Sequence, residues 1–540
     1  MAPPKAARTI SQQAFDEVVM ENIDDLGMDP SEALADAVET LTLQGVDLSG
    51  IVLCVPGATT VKDNPVIECL DRLKQLDSDW EGRDCEEVEG LFDKLSELCC
   101  VEGNAVIASR NRGVELACSI CSKMRVDCGR GVVSSLKALA LFIHDLQSTD
   151  AFHKSCGEAL VMDILKNGSH DINILNSSFS IVAAAATGNE VVKDSFMELK
   201  IDELIVQVMR EQSKGSIQSL YDSIRVLVTA DDNRVVASQV YGYARRFAKL
   251  GIAGVLVESL QGGLSSPSLV SASITLKAIA VNDEICRSIA ENGGIDAVLR
   301  CIDDSGLQRN RTVARACCSL LSKLAGSDAN KNEIVDKGGM DGLIKLSARF
   351  SDEPSVLQEV MSIICALSLR SPNNAARAIE AGAGDIVIQA MQKFPAAQQM
   401  QRNSCLMIRN LVVRNPENRT LLLNIGIEKF VRKAKENHES CKDAASAALR
   451  DLGLNDYNLR KKEKHEGGNT TNLVKEGHVI IDEWTVEVRR RIITETRNFK
   501  LLASSTKALY TSTKVLLGLV DEALCSSMRG TCTAAVSSEI

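Results

Sequence analysis

Aromatic side chains make up only 3% of this 540-residue chain, and just two of them are tryptophan. A protein that stacks nucleic-acid bases uses aromatic platforms, so their scarcity argues against direct nucleic-acid binding. The net charge of −11 points the same way, because a nucleic-acid binder normally carries a basic footprint. Six histidines are few for this length, and His144 and His153 sit in no recognisable metal pair. No HExxH helix, GxSxG elbow or Walker lysine loop occurs, and the dipeptide Gly-Lys is absent. No stretch of 18 apolar residues is present, which predicts no membrane-spanning helix, and residues 1–11 hold no apolar run of the signal-peptide kind.

What the chain has is 45% apolar residues, mostly small and aliphatic, and 18 cysteines. The cysteines are scattered or adjacent, as in Cys99-Cys100 and Cys317-Cys318, and fall at helical core spacing. They read as free thiols acting as small hydrophobes in a reducing compartment. Cys118 and Cys121, with Cys128 nearby, have the spacing of half a zinc site, but nothing completes four ligands. Val114, Ala117, Cys118 and Cys121 share one helical face, so the thiols are expected in the core and no metal or cofactor is expected.

One local grammar recurs. Glu291-Asn292-Gly293-Gly294-Ile295-Asp296, Asp336-Lys337-Gly338-Gly339-Met340-Asp341, Glu380-Ala381-Gly382-Ala383-Gly384-Asp385 and Leu423-Asn424-Ile425-Gly426-Ile427-Glu428 place equivalent positions 45, 44 and 43 residues apart. A supersecondary unit repeating near that period predicts a stacked helical solenoid. Within residues 311–350, Val313, Ala316, Cys317, Leu320, Leu321 and Leu324 mark a long helix. Gly326 is expected to end it in the left-handed conformation and Asp328 to cap a short helix. Gly338-Gly339 then turns the chain into another helix, and Pro354 opens the next. The landmark continues backwards through Gly251, Lys200, Gly157 and Gly113, with one wide step of 51 that implies an insertion near Asp231 or Tyr241.

Three regions follow. Residues 1–60 form a helical N-terminal extension, 61–454 the repeat array (clearest over 250–454), and 455–540 a polar linker with an atypical tail. Within the extension, Asp29-Pro30-Ser31-Glu32 reads as a capping box, and residues 54–64 read as a linker.

A three-helix unit of this length with a Gly-Gly-Ile-Asp type turn before its second helix resembles the armadillo repeat. A narrower likeness to one branch of that family rests on residues 15–23 (Phe15-Asp16-Glu17-Val18-Val19-Met20-Glu21-Asn22-Ile23), on Gly45-Val46-Asp47-Leu48-Ser49 and on Ala448-Leu449-Arg450-Asp451-Leu452-Gly453. The resemblance implies an all-α, right-handed α-solenoid whose third helices line a concave groove, where extended peptides are held by asparagines. Of those asparagines the chain keeps Asn410; the equivalent positions hold Ala278, Lys323 and Ala366, and Trp80 and Trp484 lie outside the stretch from Cys100 to Leu454 that carries the resemblance. Recognition of basic import signals is therefore not expected.

Aligning the third helices on Leu227, Ile279, Leu324, Leu367 and Leu411 brings Arg225, Lys277 and Arg409 to one position and Lys323 and Asn410 to the next. Arg315 and Arg402 each fall nine residues before the aligned leucine. These seven residues are the candidate partner-binding groove, a broken basic ladder on an acidic protein. The expected function is a non-enzymatic scaffold that binds an acidic or extended protein segment. The alternative is a regulator of a partner enzyme such as a GTPase or chaperone ATPase. Protein or peptide partners are expected, with no direct nucleic acid and no membrane, in the cytoplasm with the nucleus as a second location.

Overall fold

The computed structural model describes residues 8–55, 64–80, 85–124, 128–168, 171–211, 217–231 and 237–454, with backbone only at 237–240. Most of the linker read at 54–64 and all of the tail at 455–540 lie outside the described residues.

The described array is an α-solenoid. It opens with two helices, Pro65–Ser78 and Cys85–Leu98, and continues as eight three-helix units from Glu102–Arg110 to Lys442–Asp451. The unit Asp328–Asp336, Gly339–Arg349 and Pro354–Ser368 shows how the sequence makes it. Pro354 stands at the start of the third helix, where its missing N–H has no intrahelical partner to lose. Val356, Leu357, Val360, Ile363, Ile364 and Leu367 recur at helical steps and are all buried. Successive third helices lie side by side: Pro354–Ser368 packs against both Arg311–Leu324 and Gln398–Val412.

The glycine landmark has two separate causes. Gly251, Gly293, Gly338, Gly382 and Gly426 all have φ between +77° and +103° and stand just before a second helix. Only glycine takes that conformation without a steric cost. The following Gly294 and Gly339 are pressed against the preceding helix, since a Cβ would lie 2.6 Å from the carbonyl oxygens of Ile289 and Ile334. In the earlier repeats Arg112, Cys156 and Lys200 occupy the left-handed position, with φ of 67°, 54° and 65°. That is why the landmark fades towards the N-terminus although the fold does not. The 51-residue step coincides with a longer first helix, Ala237–Lys249, of 13 residues, where helix Asp283–Glu291 has 9.

Two local expectations are corrected. Gly326 is not left-handed; helix Arg311–Leu324 ends through Ala325, and tight bonds from Gly326 N to Lys323 O (3.0 Å) and Ser327 N to Leu324 O (3.2 Å) satisfy the terminal carbonyls. Asp328 is not the cap but the first helical residue, after Ser327, and it accepts a 2.6 Å bond from Lys331.

Polar side chains join one unit to the next. Asn330, Asn374 and Asn418 are buried at the same place in successive first helices. Each donates its amide to the end of the preceding third helix: to the carbonyls of Leu324 (3.2 Å), Leu367 (3.2 Å) and Leu411 (2.9 Å). Asn330 and Asn418 also reach the previous first helix, at Cys286 O and Ala375 O. These three asparagines therefore close orphan carbonyls across the repeat boundary.

Before the array stands a small module. Helices Gln12–Asp24 and Pro30–Leu43 pack Phe15, Val19, Ala37, Leu41 and Ile51 into their own cluster. Ser11 and Asp29 cap the two helices. Gln12 fixes the chain beyond them, accepting from Val52 N–H and donating to Val52 C=O at 2.8 and 2.9 Å. Beside its helices the module contains a short parallel strand pair, Arg8–Thr9 with Val46–Asp47.

The reading of every cysteine as a free thiol is also corrected. Cys85 and Cys128 form a disulfide with Cα atoms 6.1 Å apart. They are 43 residues apart, one repeat, and stand at matching ends of adjacent third helices. The stacking brings together what the sequence separation hides. Cys118 and Cys121 are buried and in no disulfide, and the Cys121 thiol donates to the Ser135 hydroxyl at 3.0 Å. Burial pushes the Cys121 thiol up to about 11 and raises Cys118 further. Among the described residues no group of three or more His, Cys, Asp and Glu is arranged to hold a metal ion. No described helix is long and apolar enough to cross a membrane.

Candidate functional site

Each third helix buries two of its sides and leaves one stripe facing solvent. On Arg311–Leu324 the stripe is Thr312, Arg315, Ser319, Ser322 and Lys323, while Val313, Cys317, Leu320, Leu321 and Leu324 point into the core. On Gln398–Val412 it is Gln399, Arg402, Asn403, Leu406, Arg409 and Asn410. Lys277 occupies the equivalent place on Leu269–Ile279, beside the exposed Ile274. Arg225 does so on Gln218–Val228. All seven sequence-derived residues thus lie on one face of the stacked third helices.

Their surroundings divide them. Lys277, Arg315, Lys323 and Arg402 are exposed. Lys277 donates a 2.5 Å bond to the Ser319 hydroxyl of the next unit, and none of these four cations has a carboxylate partner among the described residues. Arg225 instead pairs with Asp222 on its own helix, and its partial burial pulls the guanidinium below its ordinary pKa. Arg409 pairs with Asp451 of the following unit at 3.1 Å. Asn410 donates its amide to Cys365 O at 2.9 Å and lies 3.1 Å from Cys365 Sγ, so the donor half of that side chain is committed to the neighbouring helix.

Further polar residues lie on the stripe beside these seven. Ser322 and Ser362 hydroxyls meet at 3.0 Å, and Asn403 donates to Gln358 O at 3.0 Å. These bonds hold adjacent third helices in register beneath the exposed charges. The signal was available in part: Ser322 falls at the aligned step of Lys277 and Arg409. Glu359 also lies on the stripe and interrupts the positive charge between Lys323 and Arg402.

The fold finds its match in known proteins. The ARMC6 family model covers residues 69–472, and the model for the armadillo repeat-containing protein 6 N-terminal domain covers residues 7–66. The chain belongs to the armadillo repeat-containing protein 6 family. The human family member is 26% identical over 390 residues, covering 68% of this chain and 75% of the human protein. The Drosophila melanogaster homolog is 27% identical over 387 residues, covering 70% of this chain and 80% of the homolog. Among solved structures, one from work on a phosphorylation switch controlling the interaction between cadherin and beta-catenin aligns with a TM-score of 0.54. It is 15% identical and covers 82% of this chain and 81% of its own. An engineered protein from the Northeast Structural Genomics Consortium aligns with a TM-score of 0.50 at 16% identity, covering 72% of this chain and 99% of its own. At these identities the two structures speak to the fold alone. The family's fold is an armadillo array, an architecture typical of protein-interaction scaffolds.

Proposed function

We propose that this family member is a non-enzymatic scaffold that captures an extended, acidic protein segment along the exposed stripe of its third helices. One observation carries the reading. Lys277, Arg315, Lys323 and Arg402 stand on that stripe without a carboxylate partner, on a protein whose net charge is −11. Cations without a carboxylate partner on an acidic molecule attract acidic segments and orient them. Arg225, Arg409 and Asn410, each already bonded within the array, hold the stripe's shape and contribute less to capture. The serine and asparagine bonds beneath keep the cations at a fixed spacing, which lowers the ordering cost of binding.

The test is fluorescence anisotropy with a labelled glutamate-rich peptide and the triple variant Arg315→Glu, Lys323→Glu, Arg402→Glu. The reading expects at least about a tenfold loss of affinity. It also expects a flatter salt dependence, with thermal unfolding unchanged. Equal binding by the parent and the variant overturns it. Altered turnover of a GTPase or chaperone ATPase on adding the protein, insensitive to these substitutions, would favour the regulator reading instead.

A further inference from the structure

The stripe changes character at its N-terminal end. An open hollow of about 1020 Å³ runs along the first two third helices, Cys85–Leu98 and Gly129–Phe142. The Cys85–Leu98 side carries Glu86, Glu89 and Asp93 and the Gly129–Phe142 side carries Arg130 and Lys137, with Asp171 and Asn173 lining the hollow from the start of the next third helix, Ile172–Ala186. Gly90, where a built Cβ meets nothing within 4 Å, adds no side chain to the space, and the buried Gly131 and Ser134 line it as well. Asp171 accepts from the backbone N–H groups of Asn173 and Ile174, whereas Glu86, Glu89, Asp93, Arg130 and Lys137 make no ion pair or hydrogen bond with a described residue. This sets them apart from Arg409 and Asp451, which pair across neighbouring third helices at the other end. The Cys85–Cys128 bond ties the two walls together at one end of the hollow.

An acidic wall facing a basic wall across a furrow imposes a pattern on what lies there. In an extended strand, successive side chains point to opposite sides. A strand running between the two helices therefore presents its odd residues to one wall and its even residues to the other. The acidic residues span Glu86 to Asp93 and the basic pair spans Arg130 to Lys137, each about 10 Å along a helix axis. An extended strand covers that length in about three residues. We propose that this hollow binds an extended peptide segment in which basic and acidic residues alternate, basic side chains on the Glu86–Glu89–Asp93 wall and acidic ones on the Arg130–Lys137 wall. The proposal rests on the third-helix stripe being a peptide-binding surface, but it uses residues separate from the basic ladder.

Two labelled peptides of the same composition test it on the full chain by fluorescence anisotropy: one alternating Lys and Glu, the other with all Lys before all Glu. The alternating peptide is expected to bind at least about tenfold more tightly. Reversing one wall with Glu89→Lys and Asp93→Lys should abolish that preference. Reversing both, by adding Arg130→Glu and Lys137→Glu, should restore it, because a one-residue slide of an alternating strand exchanges its two faces. These side chains line an open surface, and circular dichroism melts check that each variant is folded. Equal binding of the two peptides overturns the proposal, as does failure of the double reversal to recover binding. The triple variant of the ladder should leave alternating-peptide binding intact. Loss there would show a single continuous site and contradict a separate hollow, whereas loss of acidic-peptide binding alone concerns only the ladder.

Discussion

Lys331 Nζ lies 3.1 Å from the carbonyl oxygen of Leu369, which closes the third helix Pro354–Ser368 of its unit. Lys193, in the same place of an earlier first helix, reaches Thr229 O at 2.7 Å, again at the end of a third helix. Both lysines are buried, at 5% and 1% exposure, and each also bonds a carboxylate, Asp328 or Asp231. A cation placed at a helix C-terminus satisfies an orphan carbonyl and opposes the negative end of the dipole. Replacing Lys331 by Met keeps the bulk and removes the donor. The expected loss is about 1–3 kcal/mol, the cost of an unsatisfied buried acceptor. Chemical denaturation monitored by circular dichroism measures it, and hydrogen exchange should show the opening centred on residues 328–369.

The asparagine closures make a parallel prediction about cooperativity. Asn418→Ala removes bonds to Leu411 O and Ala375 O at once and leaves both carbonyls under cover. In a stacked array stability is a sum of unit and interface terms, so the damage should concentrate at the last two units. Limited proteolysis should release a fragment beginning after residue 412, while the earlier units keep their protection.

Left-handed positions offer a test with opposite signs. Gly338, at φ +77°, has nothing within 4 Å of a built Cβ, so Gly338→Ala pays only the conformational cost, about 1 kcal/mol. Gly339→Ala meets Ile334 O at 2.6 Å and should be worse. Arg112→Gly should instead stabilise by roughly 0.5 kcal/mol, since it relieves a left-handed non-glycine. Thermal melts of the three variants rank them.

The N-terminal module should loosen from the array in acid. Arg110 packs on Gly50 of the module, donates to Asp145 at 2.7 Å and also bonds Gln147. Burial works to raise the pKa of Asp145, but bonds from Ser148 and the Arg110 charge outweigh it and hold the carboxyl below its usual value. The Ser49 side-chain and backbone bonds lower Asp47 in the same way. A carboxylate with a depressed folded pKa contributes stability above its unfolded value, near 3.9, and loses it as pH falls through the folded one. Hydrogen exchange at residues 8–52 should therefore speed up below about pH 4 while the later repeats keep their protection. Arg110→Met should produce the same loosening at neutral pH.

How much of this was legible in the sequence depends on which force fixes each feature. The array was legible because Gly293, Gly338, Gly382 and Gly426 stand where only glycine is unstrained, and because the apolar steps of the third helices repeat. It grew faint where Arg112, Cys156 and Lys200 tolerate the same backbone. The stripe was legible by alignment, since helical spacing alone decides which side of a third helix faces out. What alignment could not reveal was partnership. Arg315 and Arg409 look equivalent as letters, yet only Arg409 meets a carboxylate, because Asp451 comes from the following unit. The Cys85–Cys128 bond and the strand pair at Arg8–Thr9 were hidden for the same reason: each joins residues brought together only by stacking or by a return of the chain.

Hydrogen exchange on the full chain, with and without a saturating glutamate-rich peptide, tests the central claim most directly. New protection should concentrate on helices Leu269–Ile279, Arg311–Leu324, Pro354–Ser368 and Gln398–Val412, and should vanish in the Arg315→Glu, Lys323→Glu, Arg402→Glu variant. Protection confined to the first helices, such as Asp283–Glu291 and Asp328–Asp336, would contradict it.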